Sequence, residues 1–119
     1  KSPKSPGMKY KHYAPHTPLW IIGQGNIENV IKQNDINNKN TLLILSKETL
    51  QTIKQDSLQA KVQDMGSIHD LEYIAKNLYH LLREADKQDF QLVLIEEVPN
   101  KEIGEAVMNR LKKAAVKII

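Results

Sequence analysis

The 119 residues carry 17 Lys and Arg against 14 Asp and Glu, with no cysteine. A chain of this length builds one domain with a single core and leaves no material for a second. A disulfide framework, a thiolate nucleophile and a cysteine metal site are excluded, and the longest apolar runs, Leu42 to Leu45 and Leu92 to Ile95, are too short to cross a bilayer.

The charge is unevenly placed. Lys1, Lys4, Lys9 and Lys11 fall within the first eighteen residues, which contain no Asp or Glu, so the whole positive excess sits there and the remainder is close to neutral. A nucleic-acid footprint on the body would need a Lys/Arg stripe, so direct nucleic-acid binding is not expected and an anionic partner belongs at the N-terminal arm. The absence of cysteine and of a signal-peptide pattern fits a reducing cytoplasm. A first residue of Lys rather than Met suggests a fragment or a processed product.

The arm itself, residues 1–18, contains Pro3, Pro6, Pro15 and Pro18, each lacking a backbone donor and each biasing its predecessor away from helix. It reads as an extended strap. Met8, Tyr10 and Tyr13 alternate with Lys9, Lys11 and His12, a combination of rings, cations and an imidazole suited to a planar anion such as a nucleotide. The plain alternative is a disordered basic linker, which has no use for two tyrosines.

Residues 19–119 read as alternating strands and helices. Leu19 to Ile22 is a buried strand ended by Gly23-Gln24-Gly25; Asn26 is placed to cap a helix carrying Ile27, Val30 and Ile31. Thr41 to Leu45 is a second buried strand, and Ser46 a cap for a helix turning Leu50 and Ile53 inward. Ala60 to Met65 mixes Val62 and Met65 with polar residues, as an edge strand does. Ser67, with Asp70 three places on, predicts the start of the longest amphipathic helix, running from Ile68 to Ala85. Phe90 to Val98 is the fourth strand, residues 101–115 a last helix burying Ile103, Val107, Leu111 and Ala114, and residues 116–119 a fifth strand. Helical crossovers of these lengths favour parallel pairing, so the expected fold is α/β: a three-layer helix/sheet/helix, Rossmann-like, mainly parallel sheet of four or five strands.

Several residues invite chemistry. The glycines at 23 and 25 follow a first strand as in a dinucleotide site, but Glu28 stands where a third glycine is needed, and a tight turn explains them better. His69 and His80, eleven apart on one predicted helix, cannot share a metal. Glu96 and Glu97 fall at the carboxyl end of the fourth strand, where such sheets bind ligands, yet with no base or nucleophile beside them they read as a solvated strand end. Gly104 sits inside a helix at a cost in stability, which suggests a close contact, while Asn109 and Arg110 are within reach of a loop or simply on the surface.

Ser5-Pro6-Gly7-Met8-Lys9-Tyr10-Lys11-His12-Tyr13-Ala14-Pro15 resembles the interdomain strap of the long, two-domain threonylcarbamoyl-AMP synthase family. Gly104 to Ala115, with Met108-Asn109-Arg110-Leu111 and Ala114-Ala115, is similar to the signature that closes that family's C-terminal domain. Lys11 departs from the usual arginine, keeping charge but losing bidentate recognition. The resemblance implies an enzyme that condenses L-threonine, bicarbonate and ATP, with Mg2+, into threonylcarbamoyl-adenylate and pyrophosphate for tRNA modification. It also implies an N-terminal YrdC-type catalytic domain as partner, and Lys9, Tyr10, Lys11, His12 and Tyr13 closing over nucleotide and intermediate. This chain would hold no catalytic residue and no metal, and would act as accessory domain; its body could also dock another tRNA-modification protein. The alternative is a stand-alone small nucleotide-binding or protein-docking Rossmann-like module.

Overall fold

The computed structural model describes residues 16–33 and 35–119. Five strands form one sheet in the order β3-β2-β4-β1-β5: β1 Leu19–Ile22, β2 Thr41–Leu45, β3 Lys61–Asp64, β4 Leu92–Glu96 and β5 Lys117–Ile118. All pairings are parallel, with Leu19 opposite Val93, Thr41 opposite Leu92, Leu42 opposite Lys61 and Trp20 opposite Lys117. The helices are α1 Ile27–Ile31, α2 Lys47–Thr52, α3 Leu71–Asp86 and α4 Ile103–Ala114. The expected three-layer α/β architecture is the one observed.

The layers follow from the direction of each crossover. The chain moves one way from β1 through β2 to β3, then back over β2 to β4 and over β1 to β5, and right-handed crossovers therefore put α1 and α2 on one face and α3 and α4 on the other. Alternate strand residues serve the two cores. Leu19, Ile21, Leu42, Ile44, Val93 and Ile95 pack with α3 and α4, whereas Ile22, Leu43, Leu45 and Leu94 pack with Ile27 and Val30 of α1 and with Ile36. Covered on both sides, β2 and β4 are apolar from Leu42 to Leu45 and from Leu92 to Ile95, which is why they read as unbroken runs rather than alternations.

The edges differ from expectation in detail. β3 is an edge strand as foreseen, but Met65 lies just beyond it, fully buried under α3. Asn26 stands at the start of α1 with helical backbone angles, so its side chain caps nothing and accepts instead from Asn29 at 3.3 Å. Ser46 does cap α2, accepting from the Thr49 N–H at 3.1 Å. The long helix starts later than the sequence suggested: Asp70, not Ser67, is its cap, accepting from Tyr73 N–H at 3.2 Å. Ser67 is engaged elsewhere, its hydroxyl donating to Glu48 while it accepts from His69 N–H at 3.0 Å. In α4 it is Met108 rather than Ile103 that turns inward; Ile103 is 40% exposed and Met108 1%.

Gly104 meets its reason here. A Cβ built on it would lie 2.0 Å from the Pro99 carbonyl oxygen and 3.1 Å from Leu71, because the loop after β4 folds back onto the first turn of α4. Glycine costs helix stability in the abstract, yet this contact admits nothing larger. Gly104→Ala should therefore destabilise the domain, by about 1–3 kcal/mol as overpacking does, and a thermal melt reads the sign: a raised midpoint would refute the contact.

Glu48 joins α2 to the loop before α3, accepting from the Ser67 hydroxyl and, at 2.9 Å, from the Ile68 N–H. These bonds, the hydroxyl first, hold its carboxyl below the ordinary value of 4.5. A carboxyl lowered by folding stabilises the fold above its unfolded-state value, and that contribution disappears as pH falls through the folded-state value. Glu48→Gln should be less stable than the parent near neutrality and lose less between about pH 6 and about pH 3. Urea midpoints across that range test this, and parallel curves would contradict it.

Candidate functional site

Parallel sheets bind ligands at their carboxyl edge, in the crevice where neighbouring strands send the chain to opposite faces. Here that place is the end of β4, since the chain leaves β1 and β2 toward α1 and α2 but leaves β4 toward α4. Three segments converge on it: the turn at Gly23 to Asn26, Ser46 at the head of α2, and Glu96-Glu97.

The protein's own carboxylates enter this crevice. Glu96 is only 4% exposed; its Oε1 accepts the Ser46 N–H at 2.8 Å and its Oε2 the Ser46 hydroxyl at 3.0 Å. Ser46 Oγ in turn accepts from Thr49 N–H and lies 3.1 Å from Thr49 Oγ1. Glu97 accepts the Gln24 N–H at 3.2 Å, and its own N–H donates to the Ile22 carbonyl at 2.8 Å. Two amides at this edge, those of Gln24 and Ser46, are thus already given to acids. The reading of Glu96-Glu97 as a solvated strand end is corrected for Glu96: β4 is central, so its last residue is roofed by its neighbours on both sides. Glu97 is half-buried.

The glycines at 23 and 25 serve the turn. Asn26 N–H donates to the Gly23 carbonyl at 3.2 Å, closing a four-residue turn whose third position, Gly25, has φ +84. A positive φ at that position is what glycine provides. His69 and His80 are both exposed, and His69 precedes α3 rather than lying on it. Asn109 and Arg110 also face solvent, so the surface reading of that pair holds.

The opposite, amino edge is where the N-terminal arm arrives. Lys9, Tyr10, Lys11, His12 and Tyr13 lie outside the described residues. The first described residue, His16, donates its N–H to both oxygens of Asp86, at 2.9 and 3.0 Å, and Thr17 N–H reaches Oδ1 of the same carboxylate at 3.3 Å. Thr17, itself buried, donates its hydroxyl to the Phe90 carbonyl at 3.3 Å, and the Pro18 carbonyl accepts from Val93 N–H at 3.0 Å. Asp86 ends α3, and Phe90 and Val93 belong to the entry into β4. Residues 16–18 are therefore tied to one corner by five hydrogen-bond contacts. No spacing in the sequence pairs Asp86 with a residue 70 positions away. Its only clue was an acid at the end of a helix, where the dipole disfavours one.

An all-parallel five-stranded sheet between two helical layers, with carboxylates bonded at its carboxyl edge and His16 and Thr17 held at its amino edge, is a Rossmann-like α/β domain. The family model described as "Threonylcarbamoyl-AMP synthase, C-terminal domain" matches residues 1–116, and the chain belongs to that family. It is 33% identical over 117 residues to the threonylcarbamoyl-AMP synthase of Bacillus subtilis, covering 97% of this chain and 33% of the relative. It is 32% identical over 121 residues to that of Pyrococcus abyssi, covering 94% and 32%. Among solved structures, that of P. abyssi Sua5 complexed with L-threonine superposes on 100% of this chain and 35% of its own length, with a TM-score of 0.65 and 32% identity. The chain thus spans about a third of the length of the relatives it matches.

Because Glu96 supplies the acceptors for a buried amide and hydroxyl, Glu96→Ala should cost about 1–3 kcal/mol, the penalty of leaving such donors unpaired. Glu96→Gln, which keeps one acceptor, should cost less. Urea unfolding of the two variants checks the order, and an alanine variant as stable as the parent would show that Ser46 does not depend on the carboxylate.

Proposed function

We propose that this chain is the C-terminal part of a two-domain threonylcarbamoyl-AMP synthase, divided into a strap, residues 1–18, and a folded accessory domain, residues 19–119. The full enzyme condenses L-threonine, bicarbonate and ATP, with Mg2+, into threonylcarbamoyl-adenylate and pyrophosphate in a YrdC-type domain ahead of the strap. The observation that carries this reading is the match of the family model to nearly the entire chain, arm included. The relative bound to L-threonine supports the substrate class.

In this reading Lys9 and Lys11 meet the phosphates, Tyr10 and Tyr13 stack against flat parts of the nucleotide, and His12 bonds at the mouth of the site. A mixed carbamoyl-phosphoric anhydride is hydrolysed readily, so a cover that excludes water preserves the product. Tethering the cover to a folded body keeps it near the site and raises its effective concentration there. Lys11 offers a point charge where an arginine would offer a planar fork, so the anion is held less directionally. The body supplies mechanics, and no helix among the described residues is long and apolar enough to span a membrane. The proposed compartment is the cytoplasm.

The nucleotide-binding alternative is disfavoured by a crevice in which the Ser46 and Gln24 amides are already bonded to Glu96 and Glu97. Calorimetry of the isolated chain with ATP should give no heat of binding. The gating role is tested by comparing the full-length enzyme with a form cut before Ser5, following threonine- and bicarbonate-dependent pyrophosphate release and the fraction of intermediate that stays bound. The cut form should release intermediate faster and turn over less efficiently; equal rates with equal retention would remove the role.

A further inference from the structure

We infer that Asp86 is a positioning residue for the synthase reaction: its carboxylate sets the point and the direction from which the arm bearing Lys9 to Tyr13 leaves the folded domain. The inference rests on the function proposed above.

Two consecutive amides, those of His16 and Thr17, converge on this single carboxylate. A peptide held by both its flanking N–H groups can neither slide along the acceptor nor rotate about its own axis without losing a bond. The buried Thr17 and the Pro18 carbonyl bonded to Val93 N–H fix the next two residues. Tyr13 is three residues before His16, so chain length alone keeps it within about 10 Å of the mooring.

The helix itself does not favour an acid at position 86. It is the last residue of a sixteen-residue helix, at the negative end of the dipole. The cation beside it is engaged elsewhere, Lys87 pairing with Glu84 at 3.0 Å, and Arg83 lies over the Tyr79 ring. Among the described residues, Asp86 makes no salt bridge of its own. The two backbone donors are its recorded partners, and both belong to the arm.

The test uses the full-length enzyme carrying Asp86→Ala, Asp86→Asn and Asp86→Glu, alongside a deletion of residues 5–15. Readouts are kcat and KM for threonine, the fraction of intermediate retained, and the thermal midpoint. Asp86→Ala should lower kcat/KM roughly tenfold, as a small misplacement of a closing element does, chiefly through KM and with reduced retention, while the midpoint moves little. Asp86→Glu should recover part of the loss and Asp86→Asn less. If the alanine variant fails to fold, His16→Pro removes one donor without touching the helix and should reproduce the kinetic change. Where both fold, the double variant should be no worse than the more impaired single one, and additive losses would overturn the inference. Parent-like kinetics for Asp86→Ala, when the deletion abolishes retention, would overturn the inference and leave the proposed function standing. If the deletion itself changes nothing, the proposed function falls and the role of Asp86 falls with it.

Discussion

Everything in this domain depends on the insertion of β4 between β1 and β2. Val93, Leu94 and Ile95 are fully buried and contribute alternately to both cores, so neither helical layer closes without them. The strand is supplied late, after β3 and the sixteen-residue α3 have been laid down at and over the far edge. Its register is fixed by partners on both sides, since a shift of one residue would exchange the side chains facing the two layers and send Glu96 out of its place beside Ser46.

That insertion also divides the molecule into two working edges. At the carboxyl edge it presents Glu96 and Glu97 to the amides of two turns, converting the usual ligand crevice of a parallel sheet into an internal polar network. Buried carboxylates are tolerated only where donors meet them, and Ser46 supplies both an amide and a hydroxyl. At the amino edge, Phe90 and Val93 on the approach to β4 combine with the end of α3 to grip the arriving arm. The carboxyl edge is thus tied into the fold's own hydrogen bonding, while the amino edge holds His16 and Thr17.

The distribution of charge agrees with such a division. The formal charge of +3 is concentrated in an arm free of acidic residues, while the body is nearly neutral. Lys117, at the sheet edge, lies over the Trp20 ring at 4.7 Å, and the Lys87–Glu84 pair is exposed and local to one helix turn. Such contacts tidy the surface and contribute little to stability.

The sequence alone determined the alternation of strands and helices, the parallel α/β class and the edge character of β3, because these rest on apolar runs and helical periodicity that short windows display. It also carried the family, through the arm and the Gly104 to Ala115 segment. Tertiary structure alone decided the order of the strands, the burial of Glu96, the late start of α3 and the mooring of His16 and Thr17 on Asp86. Ser67 looked like a cap until Glu48, nineteen residues earlier, took its hydroxyl. Gly104 was legible as an anomaly, but only the return of the Pro99 loop explained it. The physical reason is common to these cases: a hydrogen bond or a close contact between distant segments leaves no periodic trace in either one.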